Sequence, residues 1–153
     1  LPSEECIMRY DNIAQILHVL GLEKEGHRAQ NALGLMDLAR EGLPPTVLSR
    51  LQEQFNTTEV KLFEMMGLAK RTGFRIISER QRLGLGPSDT VLRLASLLCL
   101  ARTRFKTDEE ARYWFFMPQV ALAGQAATDL VRYDVGARLV DEILERLPPV
   151  PRP

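Results

Sequence analysis

Cysteine and histidine are scarce in this chain, and each scarcity removes a class of chemistry. The two cysteines, Cys6 and Cys99, lie far apart with no CxxC spacing, and the two histidines, His18 and His27, have no Cys or His partner at ligand spacing. A disulfide framework and a zinc site are therefore not expected, and a reducing, cytoplasmic compartment is the simplest setting. No apolar run approaches the roughly 18 residues of a membrane span, and no basic-then-apolar signal segment stands at the start, so no membrane partner is expected. Charge of one sign is missing too. Twenty basic residues cancel twenty acidic ones, so any attraction to nucleic acid has to be local. There is no GK[ST] sequence, and Gly84-Leu85-Gly86 reads as a turn before a helix cap rather than a phosphate cradle. With no nucleophile–base pair either, no catalytic residue, metal or cofactor is expected, and the chain reads as a non-enzyme.

What is present is helical patterning. The 153 residues, 45% hydrophobic and 26% charged, suit one domain or two small helical subdomains sharing a core. The expected fold is all-α: an N-terminal helix-turn-helix-like bundle joined by a buried helix to a small C-terminal helical domain. Near the start, Asp11 is placed to cap a helix with Ile13, Ile16, Leu17 and Leu20 on one side, ended by Gly21. Further helices are expected over 24–33, with Gly34 as a break, and over 35–40, stopping at Gly42. These N-terminal helices, residues 1–41, have little core of their own and are the expected dimer interface.

Residues 42–86 form the next segment. Gly42-Leu43-Pro44-Pro45 restarts the chain before a helix with Val47, Leu48, Leu51 and Phe55 on one face. Asn56-Thr57-Thr58 offers caps for a helix over 59–66, with Val60, Phe63 and Met66 or Leu62 inward. The turn Met66-Gly67-Leu68 leads to a helix over 70–82, and this pair is the pattern of a helix-turn-helix. From 61 to 82, Lys61, Lys70, Arg71, Arg75, Arg80 and Arg82 face only Glu64 and Glu79, a local net charge of +4. Lys70, Arg71, Thr72, Arg75 and Arg80 are the candidate contacts to operator DNA, phosphate more than base. Against a strong reader stand Ala69 where a Ser or Thr cap is usual, and Gly73 inside the helix. A solvated basic helix at a partner interface is the plainer alternative.

Residues 87–147 form the C-terminal segment. Its first helix, from Pro87 or Asp89 to about Lys106, is apolar nearly all round, from Val91 through Ala101, and so reads as buried. Thr107 and Glu110 form a capping box for a helix carrying Tyr113, Trp114, Phe115 and Phe116, stopped by Pro118. Ala121-Leu122-Ala123-Gly124 is a tight passage in which Gly124 takes a conformation other residues resist. A short helix over 126–131 then leads to a final one with Val135, Leu139, Val140, Ile143, Leu144 and Leu147 as its buried stripe, and Asp141, Glu142, Glu145 and Arg146 wet.

Over residues 35–147 this order of signals resembles the Xre/MbcA/ParS family of antitoxins. Ser88-Asp89 precedes Leu92-Arg93-Leu94-Ala95; Asp108-Glu109-Glu110-Ala111 leads to Trp114; Pro118 and Ala121-Leu122 come before Gly124, then Leu130, then Gly136-Ala137-Arg138. Upstream, Gly42-Leu43-Pro44 and Met66-Gly67-Leu68 look like the family's helix-turn-helix region. The chain departs from the pattern at Ala123, where a second glycine is usual, and at Ala127, where proline is usual. The resemblance implies a partner toxin of the RES-domain class, which consumes NAD. It further implies that the antitoxin obstructs the toxin's NAD pocket, and that the complex, as is common among such proteins, represses its own operon.

On that reading the proline-rich tail, residues 148–153, is the plug. Pro148, Pro149, Val150, Pro151, Arg152 and Pro153 are the candidate toxin-binding residues. Prolines pre-set an extended conformation that loses little entropy on docking, and Arg152 could meet a carboxylate. The acidic lean of 107–147, eight carboxylates against four arginines, could face a basic pocket rim. The same tail also reads as an end with no role, and the same charge lean as a solvated face. The alternative function is a helix-turn-helix transcriptional repressor, a homodimer whose C-terminal unit serves only oligomerisation.

Overall fold

A computed structural model describes residues 12–151. Asp11, the expected first cap, and Cys6, Arg152 and Pro153 lie outside the described residues. Nine α-helices run in order among the described residues: α1 (Ile13–Leu20), α2 (Ala32–Glu41), α3 (Thr46–Phe55), α4 (Glu59–Met66), α5 (Lys70–Ser78), α6 (Leu85–Arg102), α7 (Asp108–Phe116), α8 (Ala127–Leu130) and α9 (Asp134–Arg146). The fold is all-α, apart from a two-residue antiparallel pair, β1 (Pro118–Gln119) with β2 (Gln125–Ala126). None of these helices is long and apolar enough to cross a membrane.

The centre is α6, which packs against α1, α2, α3, α4, α7 and α9. Val91, Leu94, Ala95, Leu98 and Ala101 are wholly buried, and Leu92, Leu97 and Cys99 nearly so. This burial on all sides follows from the helix's all-round apolarity. Buried side chains from α1 to α9 form one continuous cluster around it. Its first turn lies earlier than expected. Gly86, Pro87 and Ser88 are helical, and the helix ends at Arg102 rather than near Lys106. Ser88 is a buried tie instead of a cap: its Oγ accepts from the Leu43 N–H at 3.0 Å and donates to the Leu83 carbonyl at 3.4 Å. The Leu83 N–H donates to the Leu43 carbonyl at 2.9 Å, so the entry to α3 and the entry to α6 are sewn together.

The stretch expected as a helix over 24–33 is instead a 3-10 turn, Glu23–Glu25, followed by the extended cap residue Asn31. Asn31 Oδ1 accepts from the Gly34 N–H at 3.0 Å. Gly34 therefore sits inside α2 rather than breaking a helix. A Cβ there would lie 2.4 Å from the Arg28 carbonyl oxygen, so glycine serves close approach of the preceding turn. The expected faces of α3 and the end of α1 at Gly21, in left-handed conformation, are as read from the sequence. On α4, Leu62, Phe63 and Met66 are buried as expected; Met65, not among the expected inward residues, is equally buried, and Val60 is half-buried.

The last helix is turned from its expected setting. The buried stripe of α9 is Ala137, Val140, Asp141 and Leu144. Val135 and Leu139, expected inside, are 78% and 41% exposed, and Asp141, expected wet, is 4% exposed. The rotation has a steric cause. A Cβ at Gly136 would lie 2.1 Å from the Leu130 carbonyl oxygen, so small residues at 136 and 137 let α9 close on the end of α8. That contact, with the packing of α9 against α6, fixes which side of the helix faces inward.

Candidate functional site

Two surfaces carry the residues singled out by the sequence. The first is the helix pair α4–α5. Thr58 Oγ1 caps α4 by accepting from the Lys61 N–H at 3.1 Å, and Gly67 ends it in left-handed conformation. The Phe63 and Phe74 rings meet edge to face, 5.2 Å between centroids. A Cβ on Gly73 would strike the Phe63 ring at 2.6 Å. Gly73 is therefore a packing requirement of the pair, and its presence does not weigh against an ordered α5.

The helix stops at Ser78, four residues short of the expected end, and Arg80 follows in a left-handed turn with φ of 52°. At 100° per residue Lys70, Phe74, Ser78, Arg71 and Arg75 occupy an arc of roughly 140°, and all five are exposed. Thr72 is half-buried. Among the described residues no side chain pairs with Lys70, Arg71, Arg75 or Arg80. The other two basic groups are engaged: Lys61 with Glu64 and Asp129, and Arg82 with the Gly42 carbonyl. The structure thus brings Lys70, Arg71 and Arg75 together on one face and leaves Arg80 off the helix. Phe74, in the middle of that face, is absent from the sequence-based candidates. An aromatic at that position looks the same in sequence whether it packs or projects.

The second surface is the unit after α6. Thr107 Oγ1 accepts from the Glu110 N–H at 3.1 Å. The expected reciprocal bond is displaced by one residue: Glu110 Oε2 accepts from the Lys106 N–H at 3.0 Å, not from Thr107. Phe115 anchors α7. It is wholly buried and packs edge to face on Phe55 of α3 at 5.4 Å and on Trp114 at 5.5 Å. Gln119 Nε2 donates to the carbonyls of Trp114 at 3.0 Å and Met117 at 3.2 Å, which covers acceptors the end of α7 leaves open. The chain then reverses through Ala123 and Gly124, both left-handed with φ of 55° and 82°. The turn closes with the Gly124 N–H on the Gln119 carbonyl at 2.9 Å.

At the far end of α9, Arg104 Nε donates to the Leu144 carbonyl at 2.9 Å and its Nη2 pairs with Glu145 at 3.3 Å. A cation on the last carbonyls also suits the helix dipole. Beyond it the tail is tied to the end of α6: the Val150 N–H donates to the carbonyl of Thr103, the residue after that helix, at 2.9 Å. Val150 is half-buried, while Pro148, Pro149 and Pro151 are exposed. The described part of the tail is thus directed by the body.

Residues 100–147 match the family model of the antitoxin Xre/MbcA/ParS C-terminal toxin-binding domain.

The match starts in the last turn of α6 and ends at the residue after α9, about a third of the chain. The toxin-binding domain match therefore holds α7, the β1–β2 turn, α8 and α9. It includes neither α4–α5 nor the tail. No curated protein matches the chain.

Burial pushes the Cys99 thiol up to about 11, which leaves no thiolate near neutral pH. His18 Nδ1 lies 2.8 Å from Glu23 Oε1 on an exposed flank. The Glu23 carboxyl is held below its ordinary range, first by its own backbone N–H and then by His18. Among the described residues no three His, Cys, Asp or Glu side chains are grouped to hold a metal ion.

Proposed function

We propose that this protein is an antitoxin that binds a RES-domain, NAD-consuming toxin and obstructs its active site, and that it also represses its own operon. The single observation that carries the reading is the match of residues 100–147 to a toxin-binding domain. A domain of that kind supplies a regulator rather than a catalyst. The tail is the plug: Pro148, Pro149 and Pro151 are exposed, and the Val150 bond to Thr103 aims them from the end of α6. Stiff prolines lose less entropy on docking than a flexible segment would. Arg152 supplies a fork able to hold a carboxylate in the toxin's ligand pocket. The protein works in the cytoplasm, where the toxin's NAD is, as a homodimer joined through its N-terminal helices.

The test is co-expression with the RES-like product of the adjacent reading frame. The two proteins should copurify, and cellular NAD should be preserved. Removing residues 148–153 should abolish the preservation of NAD while the far-UV circular dichroism stays helical. A truncated chain that still preserves NAD removes the tail from the mechanism.

The exposed trio Lys70, Arg71 and Arg75 favours a second reading, a helix-turn-helix repressor whose C-terminal unit only oligomerises. That protein would bind its promoter tightly with no toxin present, and would leave NAD loss by the neighbouring protein unchanged.

A further inference from the structure

The matched domain exposes an apolar groove at the start of α9, at the opposite end of that helix from the tail. Its walls are Leu122 and Ala123 of the turn on one side, and Tyr133, Val135 and Leu139 on the other, around a volume of about 430 Å³. Val120, on the same turn, is 97% exposed. Taken at 100° per residue, Val135 and Leu139 lie on the side of α9 roughly opposite its buried stripe. The helix therefore carries two apolar faces, and among the described residues only one is covered. Exposed apolar residues scattered singly need no explanation, but a contiguous set lining a concavity marks an interaction surface.

The groove is preformed. Ala123 and Gly124 hold the turn in left-handed conformation, and the β1–β2 pair closes it. Tyr133 is held by Arg132, whose Nη2 donates to Tyr133 Oη at 2.6 Å and whose guanidinium lies 4.7 Å from the ring centroid. At the rim Asp134 pairs with Arg138 at 3.0 Å and with Arg93 at 3.5 Å, Arg93 also pairs with Asp89 at 3.5 Å, and Arg132 keeps a positive charge beside Tyr133. The lining itself holds no charged side chain, so the concavity gives little purchase to a phosphate. It suits one or two aliphatic or aromatic side chains projecting from a protein.

We propose that this groove is the docking face for the toxin, with Val135, Leu139 and Tyr133 receiving an apolar projection of the toxin surface. The inference rests on the antitoxin reading, and its occupant follows from the match, since every wall residue named lies within the toxin-binding domain. Groove and tail then divide the work. From Val135 to Leu147 a helix rises roughly 18 Å, and a standard interface of about 800 Å² per partner is wide enough to include both ends. The groove holds the toxin, and the tail blocks its pocket.

The experiment compares the full chain with Val135→Asp/Leu139→Asp and with Val135→Asp alone, each co-expressed with the tagged RES-like product of the adjacent reading frame. Val135 contributes little to the core, being 78% exposed, so the single variant guards against loss of fold, and circular dichroism checks the other. Both variants should capture the toxin at least tenfold more weakly while remaining helical. Variants that capture toxin as the unaltered chain does overturn the groove and leave the antitoxin reading standing. If the unaltered chain captures none, both fail. A variant that turns a dimer into a monomer while toxin capture is unchanged makes the face a contact between copies, and this also overturns the proposal.

Discussion

At the scale of single residues, Ala123 and Gly73 are exceptions of opposite sign. Ala123 holds a φ of 55°, a region that costs a residue with a Cβ about 1–2 kcal/mol. Glycine removes that cost but makes the unfolded chain looser by about 0.4–1 kcal/mol. Ala123→Gly should therefore raise stability by about 0.5–1 kcal/mol, or about 1–4 °C in thermal unfolding for a chain of this size. In sequence this position is the place of a missing second glycine, and the turn keeps that glycine's conformation without it. At Gly73 the helix-propensity gain from alanine, about 1 kcal/mol, opposes a Cβ 2.6 Å from the ring of Phe63. Phe63 is itself buried and has no room to retreat. Overpacking of that kind costs about 1–3 kcal/mol, so Gly73→Ala should lower the denaturant midpoint rather than raise it. Propensity alone predicts the reverse sign, and sequence offers only propensity here. Ser88 shows the same limit, since a tie to Leu43, 45 positions away, leaves no local trace.

At the scale of elements, the legible ones are those whose ends are set by local chemistry. Thr58 and Thr107 as caps and Gly21 and Gly67 as stops act within one turn, and α3, α4 and α7 are readable from such signals. What periodicity does not reveal is the rotation of α9. Val135 and Leu139 fit a core stripe as well as Val140 and Leu144 do, and the choice is made by packing against α6 and by the approach of Gly136 to Leu130. The paired strands at Pro118–Gln119 and Gln125–Ala126 are equally hidden, being too short for an alternation. For α5 the charges are plain in the sequence but the face they share is not. With Lys70, Arg71 and Arg75 gathered and free of ion pairs among the described residues, the three should act together if the helix meets DNA. Changing all three to alanine should reduce the slope of log affinity against log salt by about 0.9 for each phosphate left without its cation, or about three in all. Fluorescence anisotropy with promoter duplex across a salt series measures it, and an unchanged slope places any DNA-binding surface elsewhere.

At the scale of the whole molecule, the toxin-binding domain match and the folding unit have different boundaries. The match begins at Leu100, so it contains only the last turn of α6. Yet α7 and α9 both pack on α6, and the anchor Phe115 closes on Phe55 of α3. Cut out alone, residues 100–147 lose Val91, Leu94, Ala95 and Leu98, each wholly buried in the intact chain. A piece of about 50 residues already buries too small a fraction of its surface to be comfortable, and this one would expose the faces meant for α6 and α3. The isolated piece should therefore show weak helical circular dichroism and no cooperative melt. In the full chain, Trp114 fluorescence and far-UV circular dichroism should follow one coincident transition, because a single core carries both halves. Leu98→Ala, at the middle of that core, should cost about 2–5 kcal/mol and shift both probes together. A fragment that folds, or two separated transitions, would mean that the C-terminal unit has a core of its own. Toxin binding would then be separable from α4–α5, whereas one core obliges both surfaces to stand or unfold together.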